Sequence, residues 1–130
     1  MFKKIKIRVN ISYQSNYKRV VFLNLTIDVK DHEKETTLFL QGEIDIYTVD
    51  QIKRELLPLT KINGQTIIVN FKDVNYMDST GLGLFIKALK FTKEHNSKMI
   101  LTHLQERIAR LFKITGLDEM FLIEQTVGWE

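Results

Sequence analysis

Residues 23–130 predict a single α/β domain on a mixed, mostly parallel β-sheet with an antiparallel hairpin at its N-terminal side. Two observations carry this expectation. Segments of strand period and helix period alternate in the order ββ-α-β-α-β-α, and 120–123 reads equally as a last strand or a helix start. After the hairpin, each strand is separated from the next by a helical segment, which calls for right-handed crossovers between parallel strands.

Residues 24–30 alternate polar and apolar side chains, as a half-buried strand does, and the charged turn Asp31-His32-Glu33-Lys34 returns the chain into a second strand over 36–41. Thr48 and Gln51 have capping-box spacing ahead of Val49, Ile52, Leu56 and Leu59. Pro58 predicts that this helix ends near Leu57, because proline disfavours helix in its predecessor. Asn63-Gly64 marks a turn, and the β-branched run over 65–71 a buried strand. Leu82, Phe85, Ile86 and Leu89 fall on one face of a helix that begins near Ser79. A short strand over 98–101 comes next. Thr102 and Gln105 suggest a second capping box ahead of Leu104, Ile108, Leu111 and Phe112, and Gly116 a C-cap.

The 130 residues, 44% of them apolar, bury a core without staples, and the absence of cysteine excludes disulfides and thiolate metal sites. The longest apolar runs are strand-sized, far below a membrane span. The net charge of +3 conceals an asymmetry. Residues 1–22 hold six of the 19 basic residues and no acid, so the body carries 13 basic against 16 acidic residues. A mildly acidic body argues against nucleic acid as a direct partner. For the basic extension 1–22 three readings stand. It is an extra edge strand, since Ile5, Ile7, Val9 and Ile11 alternate; or a basic targeting or partner-binding arm; or upstream message read as protein, with the start at Leu23.

Enzymatic and cofactor signatures fail one by one. His32, His95 and His103 have no metal-ligand spacing. Gly81-Leu82-Gly83 is half of a dinucleotide fingerprint, with isoleucine at 86 and no phosphate-loop lysine. No nucleophile elbow surrounds Ser79. What remains is "YMDSTGLG", residues 76–83, with hydroxyls and a carboxylate at a helix start. As an N-cap it explains one polar residue. It leaves Gly81 and Gly83 unexplained, each costing about 1 kcal/mol against alanine in a helix interior. Two missing side chains beside a hydroxyl leave a surface that another backbone can approach.

The stretches "LQGEIDIYTVDQIKRELLPL", "FKDVNYMDSTGLGLFIKALKFTKEH" and "LQERIARLFKITGLDEMFLI" closely resemble the bacterial anti-sigma factor antagonists, nearest to their general-stress, sigma-B branch. The resemblance covers about residues 23–124. It implies a single STAS domain with helices packed mainly on one face of the sheet. It further implies a cytoplasmic, non-enzymatic protein without cofactor or metal, which binds an anti-sigma factor serine kinase and so frees the sigma factor. Carried over by position, Ser79 is the residue that the kinase phosphorylates and a PP2C-type phosphatase restores. Asp78, Thr80, Gly81 and Leu82 then form its contact surface, with Asp45 on a neighbouring loop. No direct contact with nucleic acid or membrane is implied. Two alternatives keep the fold or the residues but change the role. One is a STAS adaptor in a stress-signalling scaffold or lipid-transport complex; the other is a nucleotide-binding or hydrolytic protein using Asp45 and Asp78.

Overall fold

The hairpin and the three strand–helix crossovers assemble as their periodicities require. The computed structural model describes residues 24–125 in full and, before them, the backbone of 2–6, 9–12 and 18–21. The strands are β1 (Phe2–Lys6), β2 (Val9–Ser12), β3 (Lys18–Val21), β4 (Leu25–His32), β5 (Glu35–Ile44), β6 (Thr66–Met77), β7 (Lys98–Thr102) and β8 (Leu122–Glu124). The helices are α1 (Val49–Thr60), α2 (Ser79–His95) and α3 (Glu106–Ile114), the last leading into a short 3₁₀ turn, Leu117–Glu119.

One sheet runs in the order β1-β4-β5-β6-β7-β8. Its β1/β4 and β4/β5 pairs are antiparallel, and β5/β6, β6/β7 and β7/β8 are parallel. The three parallel crossovers all step in the same direction across the sheet. Right-handed connections of that kind place every helix on one face. Burial agrees: in β6, Ile67, Val69 and Phe71 are inaccessible while the intervening Thr66, Ile68 and Asn70 are half-buried. The covered face carries the core. Phe71 of β6 meets Phe85 of α2 with ring centroids 5.3 Å apart, and Phe112 of α3 meets Phe121 edge-on at 5.3 Å. The helices thus lie on one face, as the family resemblance implied.

Several local expectations change. Of residues 120–123, Leu122 and Ile123 enter the closing strand β8, whose backbone completes the ladder of β7, while Met120 and Phe121 precede it after the 3₁₀ turn. Helix α1 runs through Pro58 to Thr60, one turn beyond the expected end. Pro58 forfeits one backbone bond at an exposed position, whereas ending at Leu57 would lose the buried place of Thr60. Thr60 is tied in from both sides: its hydroxyl donates to Leu57 O, and its carbonyl accepts from Ser97 Oγ. Neither expected capping box forms. Thr48 Oγ1 instead donates to Glu43 O, and Gln105 Nε2 donates to Lys72 O, a partner 33 residues away. Gly116 succeeds α3 in the left-handed region (φ 76°), where a helix commonly stops. Of the expected edge strand, Phe2–Lys6 with Ile5 pairs against β4, Val9 and Ile11 lie in β2, which pairs with β3 in a separate two-stranded sheet, and Ile7 and Leu23 lie outside the described residues.

Gly42, in β5, combines φ 120° with a backbone so close that a Cβ would collide with Asn24 O. That carbonyl accepts from Glu43 N at 2.8 Å, beside an irregularity in the β5/β6 register. Gly42→Ala must distort this corner, and we expect a stability loss of about 3 kcal/mol in urea unfolding.

Candidate functional site

Parallel strands β5 and β6 end together, and the segments that leave their ends, one into α1 and one into α2, make the site. Ile44 pairs with Met77, and the link continues past the strands, where Asp78 N donates to Ile44 O at 3.4 Å. The loop 45–48 that leads into α1 therefore lies beside the N-terminus of α2.

Helix α2 is capped by Asp78, not by its hydroxyl residues. Asp78 has extended backbone, and its Oδ1 accepts from Thr80 N at 2.9 Å. Ser79, the first helical residue, is exposed, and its hydroxyl is not needed for the cap. A helix of 17 residues also presents its positive dipole end and free N–H groups at this point, so added negative charge is well tolerated by the helix itself.

The two glycines have different tasks. Gly81 is buried, and a Cβ there would sit 2.6 Å from Met77 Cγ and 2.8 Å from Ile44 Cγ2. Its missing side chain lets the helix tip seat on the ends of β5 and β6. Leu82 beside it is buried in the core. Gly83 is exposed, with open space where its Cβ would be. It lies one turn beyond Ser79 on the same helix face. Of the five predicted contact residues, Gly81 and Leu82 therefore point inward, Thr80, Asp78 and Asp45 are half-buried, and the bare patch next to Ser79 belongs to Gly83. The helical period holds only part of the signal: Gly81 falls with Phe85 and Ala88, but Gly83 falls with Ile86, which the periodicity places on the apolar face and which the structure leaves 40% exposed.

Asp45 shapes its loop. Its Oδ1 accepts from Tyr47 N (2.8 Å) and Thr48 N (3.1 Å), while its own N–H donates to Thr48 Oγ1 (3.0 Å). The carboxylates of Asp45 and Asp78 are thus both engaged with main-chain N–H groups, a structural use of a side chain that the hydrolytic alternative would need for chemistry. A cleft of about 430 Å³ lies along the start of α3, lined by Asn75, Gln105, Glu106, Arg107 and Arg110. None of the predicted site residues borders it. The pinned loop holds Ile46 and Tyr47, which the sequence pattern did not single out, in solvent at 68% and 56% exposure. No helix among the described residues is long and apolar enough to cross a membrane.

A β-hairpin leads into singly wound β-α units, and an exposed serine stands at the tip of the second helix, which defines a small α/β module with its polar groups gathered at one edge of the sheet. The STAS domain model matches residues 26–128, and the chain belongs to the STAS domain family. It is 40% identical to the anti-sigma-B factor antagonist of Bacillus subtilis (strain 168) over 98 residues, which is 75% of this chain and 89% of that protein. It is 36% identical to the anti-sigma-B factor antagonist of Staphylococcus aureus (strain NCTC 8325 / PS 47) over 103 residues, covering 79% of this chain and 95% of that one. Among solved structures, the fold is similar to the anti-sigma factor antagonist SpoIIAA in its unphosphorylated form. That match has a TM-score of 0.67 at 22% identity, over 78% of this chain and 89% of the other.

Two substitutions separate the glycines. Gly81→Ala should lose about 1–3 kcal/mol by overpacking the tip against Ile44 and Met77, whereas Gly83→Ala should gain up to about 1 kcal/mol of helix propensity. Thermal and urea unfolding of the two variants read opposite signs. At the loop, Asp45→Ala should lose about 1–2 kcal/mol by removing two backbone bonds, and Asp45→Asn, which keeps the acceptor oxygen, should lose less than half of that in the same assay.

Proposed function

We propose that this chain is an anti-sigma factor antagonist working as a phosphorylation switch. Unmodified, it binds an anti-sigma factor that is also a serine kinase and so releases the sigma factor for transcription. The kinase transfers the γ-phosphoryl group of ATP to Ser79 Oγ, the hydroxyl proton leaves, and ADP departs. The phosphorylated form lets go of the kinase, and a PP2C-type phosphatase hydrolyses the ester and restores binding. The chain itself performs no catalysis, and it acts in the cytoplasm, where sigma factors work.

The observation that carries this reading is the exposed Ser79, set beside a cap that Asp78 already completes. The names of the relatives at 36–40% identity support the partner class. Phosphorylation adds about −1.5 to −2 charges next to Asp78. In free protein the helix N-terminus and water accommodate them. Against a docked partner the same charge is desolvated and meets the acidic tip. Moving binding from 99:1 to 1:99 takes about 5.5 kcal/mol, a size that a desolvated dianion plus lost hydrogen bonds can supply. In this reading Ser79 and Gly83 meet the partner directly, Asp78, Thr80 and Asp45 border the contact, and Gly81 and Leu82 fix the tip from beneath.

Ser79→Ala should stay bound to the cognate anti-sigma factor kinase in the presence of ATP and take up no label from [γ-³²P]ATP. Ser79→Asp should lose at least about tenfold in affinity by calorimetry. Retained phosphorylation of both variants rejects Ser79 as the acceptor.

A further inference from the structure

Residues 1–22 lie outside the family match, which covers 26–128, yet the chain leaves and rejoins the main sheet beside the switch. Lys6, the last residue of β1, lies opposite Thr26, which lies opposite Gln41 near the end of β5. On the return, Asn24 is fixed at the same place: its O accepts from Glu43 N at 2.8 Å, and its Nδ2 donates to Glu43 Oε2 at 2.9 Å. Between these two points β2 and β3 pair antiparallel with each other, from Val9 opposite Val21 to Ser12 opposite Lys18, in a sheet of their own. Charge distinguishes this hairpin from the edge at which it is rooted. Segment 7–22 contains Arg8, Lys18 and Arg19 and no acid. Segments 42–50 and 73–86, which converge on the tip of α2, contain Glu43, Asp45, Asp50, Asp73 and Asp78 and no lysine or arginine. Opposite fields on one chain attract.

We propose that the β2–β3 hairpin is an intramolecular receptor for phosphoserine: when Ser79 carries phosphate, Lys18 and Arg19 close onto it and the hairpin covers the tip of α2. This rests on the reading of Ser79 as phosphoacceptor. Reach allows the contact. Arg19 is five residues from the fixed Asn24, up to about 17 Å of extended chain. Ser79 follows β6, two strands over from β4, a lateral distance of about 10 Å. Lys18 and Arg19 occupy opposite faces of β3, so either face of the hairpin carries a cation. Chemistry selects the modified state. Asp45 and Asp78 already accept from main-chain N–H groups, whereas phosphate brings about −1.5 to −2 charges and three new acceptor oxygens. A guanidinium meets such an anion with two parallel bonds. A segment tethered at both ends has an effective concentration on the order of millimolar, so even a weak phosphate contact closes within the chain. The hairpin then competes with the kinase for the α2 tip and adds to the release that charge alone produces.

Phosphoserine installed genetically at position 79 of the full chain separates this contact from any kinase. Trypsin cuts after Lys18 and Arg19, so limited digestion reads closure directly. Cleavage there should slow about fivefold in the phosphorylated chain, and about 0.5 M NaCl should erase the difference. Cleavage after Lys34, exposed in the turn between β4 and β5, should keep one rate in both states. Equal rates at Lys18 and Arg19 in the two states at low salt overturn the proposal. A second measurement uses the double variant Lys18→Gln, Arg19→Gln. Once phosphorylated, it should bind the cognate anti-sigma factor kinase about fivefold more tightly than the phosphorylated parent, while the unmodified forms agree within about twofold. Equal affinity of the two phosphorylated forms overturns the proposal. Weaker binding by the unmodified variant assigns the cations to the partner and overturns it as well. Failure of the kinase to label Ser79, with the digestion difference present, rejects the acceptor reading and not the contact.

Discussion

The contact between the tip of α2 and the joined ends of β5 and β6 sets everything that functions in this domain. It consists of one hydrogen bond, Asp78 N to Ile44 O, and of an absent methyl group, since any Cβ at Gly81 would press into Ile44 and Met77. Close seating brings loop 45–48 and the first turn of α2 to the same edge of the sheet. A helix start held further off would leave Ser79 and Ile46 on separate surfaces.

With that contact in place, polar groups divide their work. Asp78 satisfies the helix N-terminus and Asp45 satisfies its loop, each through main-chain N–H groups. Neither task involves the hydroxyl of Ser79. A serine that served as the cap would have to exchange its hydroxyl acceptor for phosphate oxygens on esterification, whereas Ser79 leaves the bond between Asp78 Oδ1 and Thr80 N untouched. A serine placed after the cap can carry charge in a helix dipole that favours it. In the proposed switch the fold stays the same in both states while its surface gains negative charge and bulk.

The singly wound sheet explains why this edge is available. All crossovers step one way, so all helices cover one face, and the links from strand ends into α1 and α2 emerge at the same end of the parallel strands. The chain belongs to the STAS domain family, and its relatives at 36–40% identity are named anti-sigma-B factor antagonists.

Much of this was legible along the chain. Alternation over 24–41 and the helical stripe of Leu82, Phe85 and Leu89 gave the hairpin and α2, because both depend only on which side chains must leave water. The "YMDSTGLG" stretch marked the start of α2 and its polar groups, the family resemblance singled out Ser79 among them, and only the structure shows that Asp78 is the residue that caps the helix. Tertiary contacts decided the rest. Thr48 and Gln105 left their capping boxes for carbonyls that only folding brings near, at Glu43 and Lys72. Pro58 stayed helical because Thr60 is buried and its carbonyl accepts from Ser97 Oγ. Gly81 and Gly83 look alike in sequence, yet one is a packing requirement and the other a bare surface. That difference arises because Ile44, far from Gly81 along the chain, lies against it only once β5 and β6 have paired.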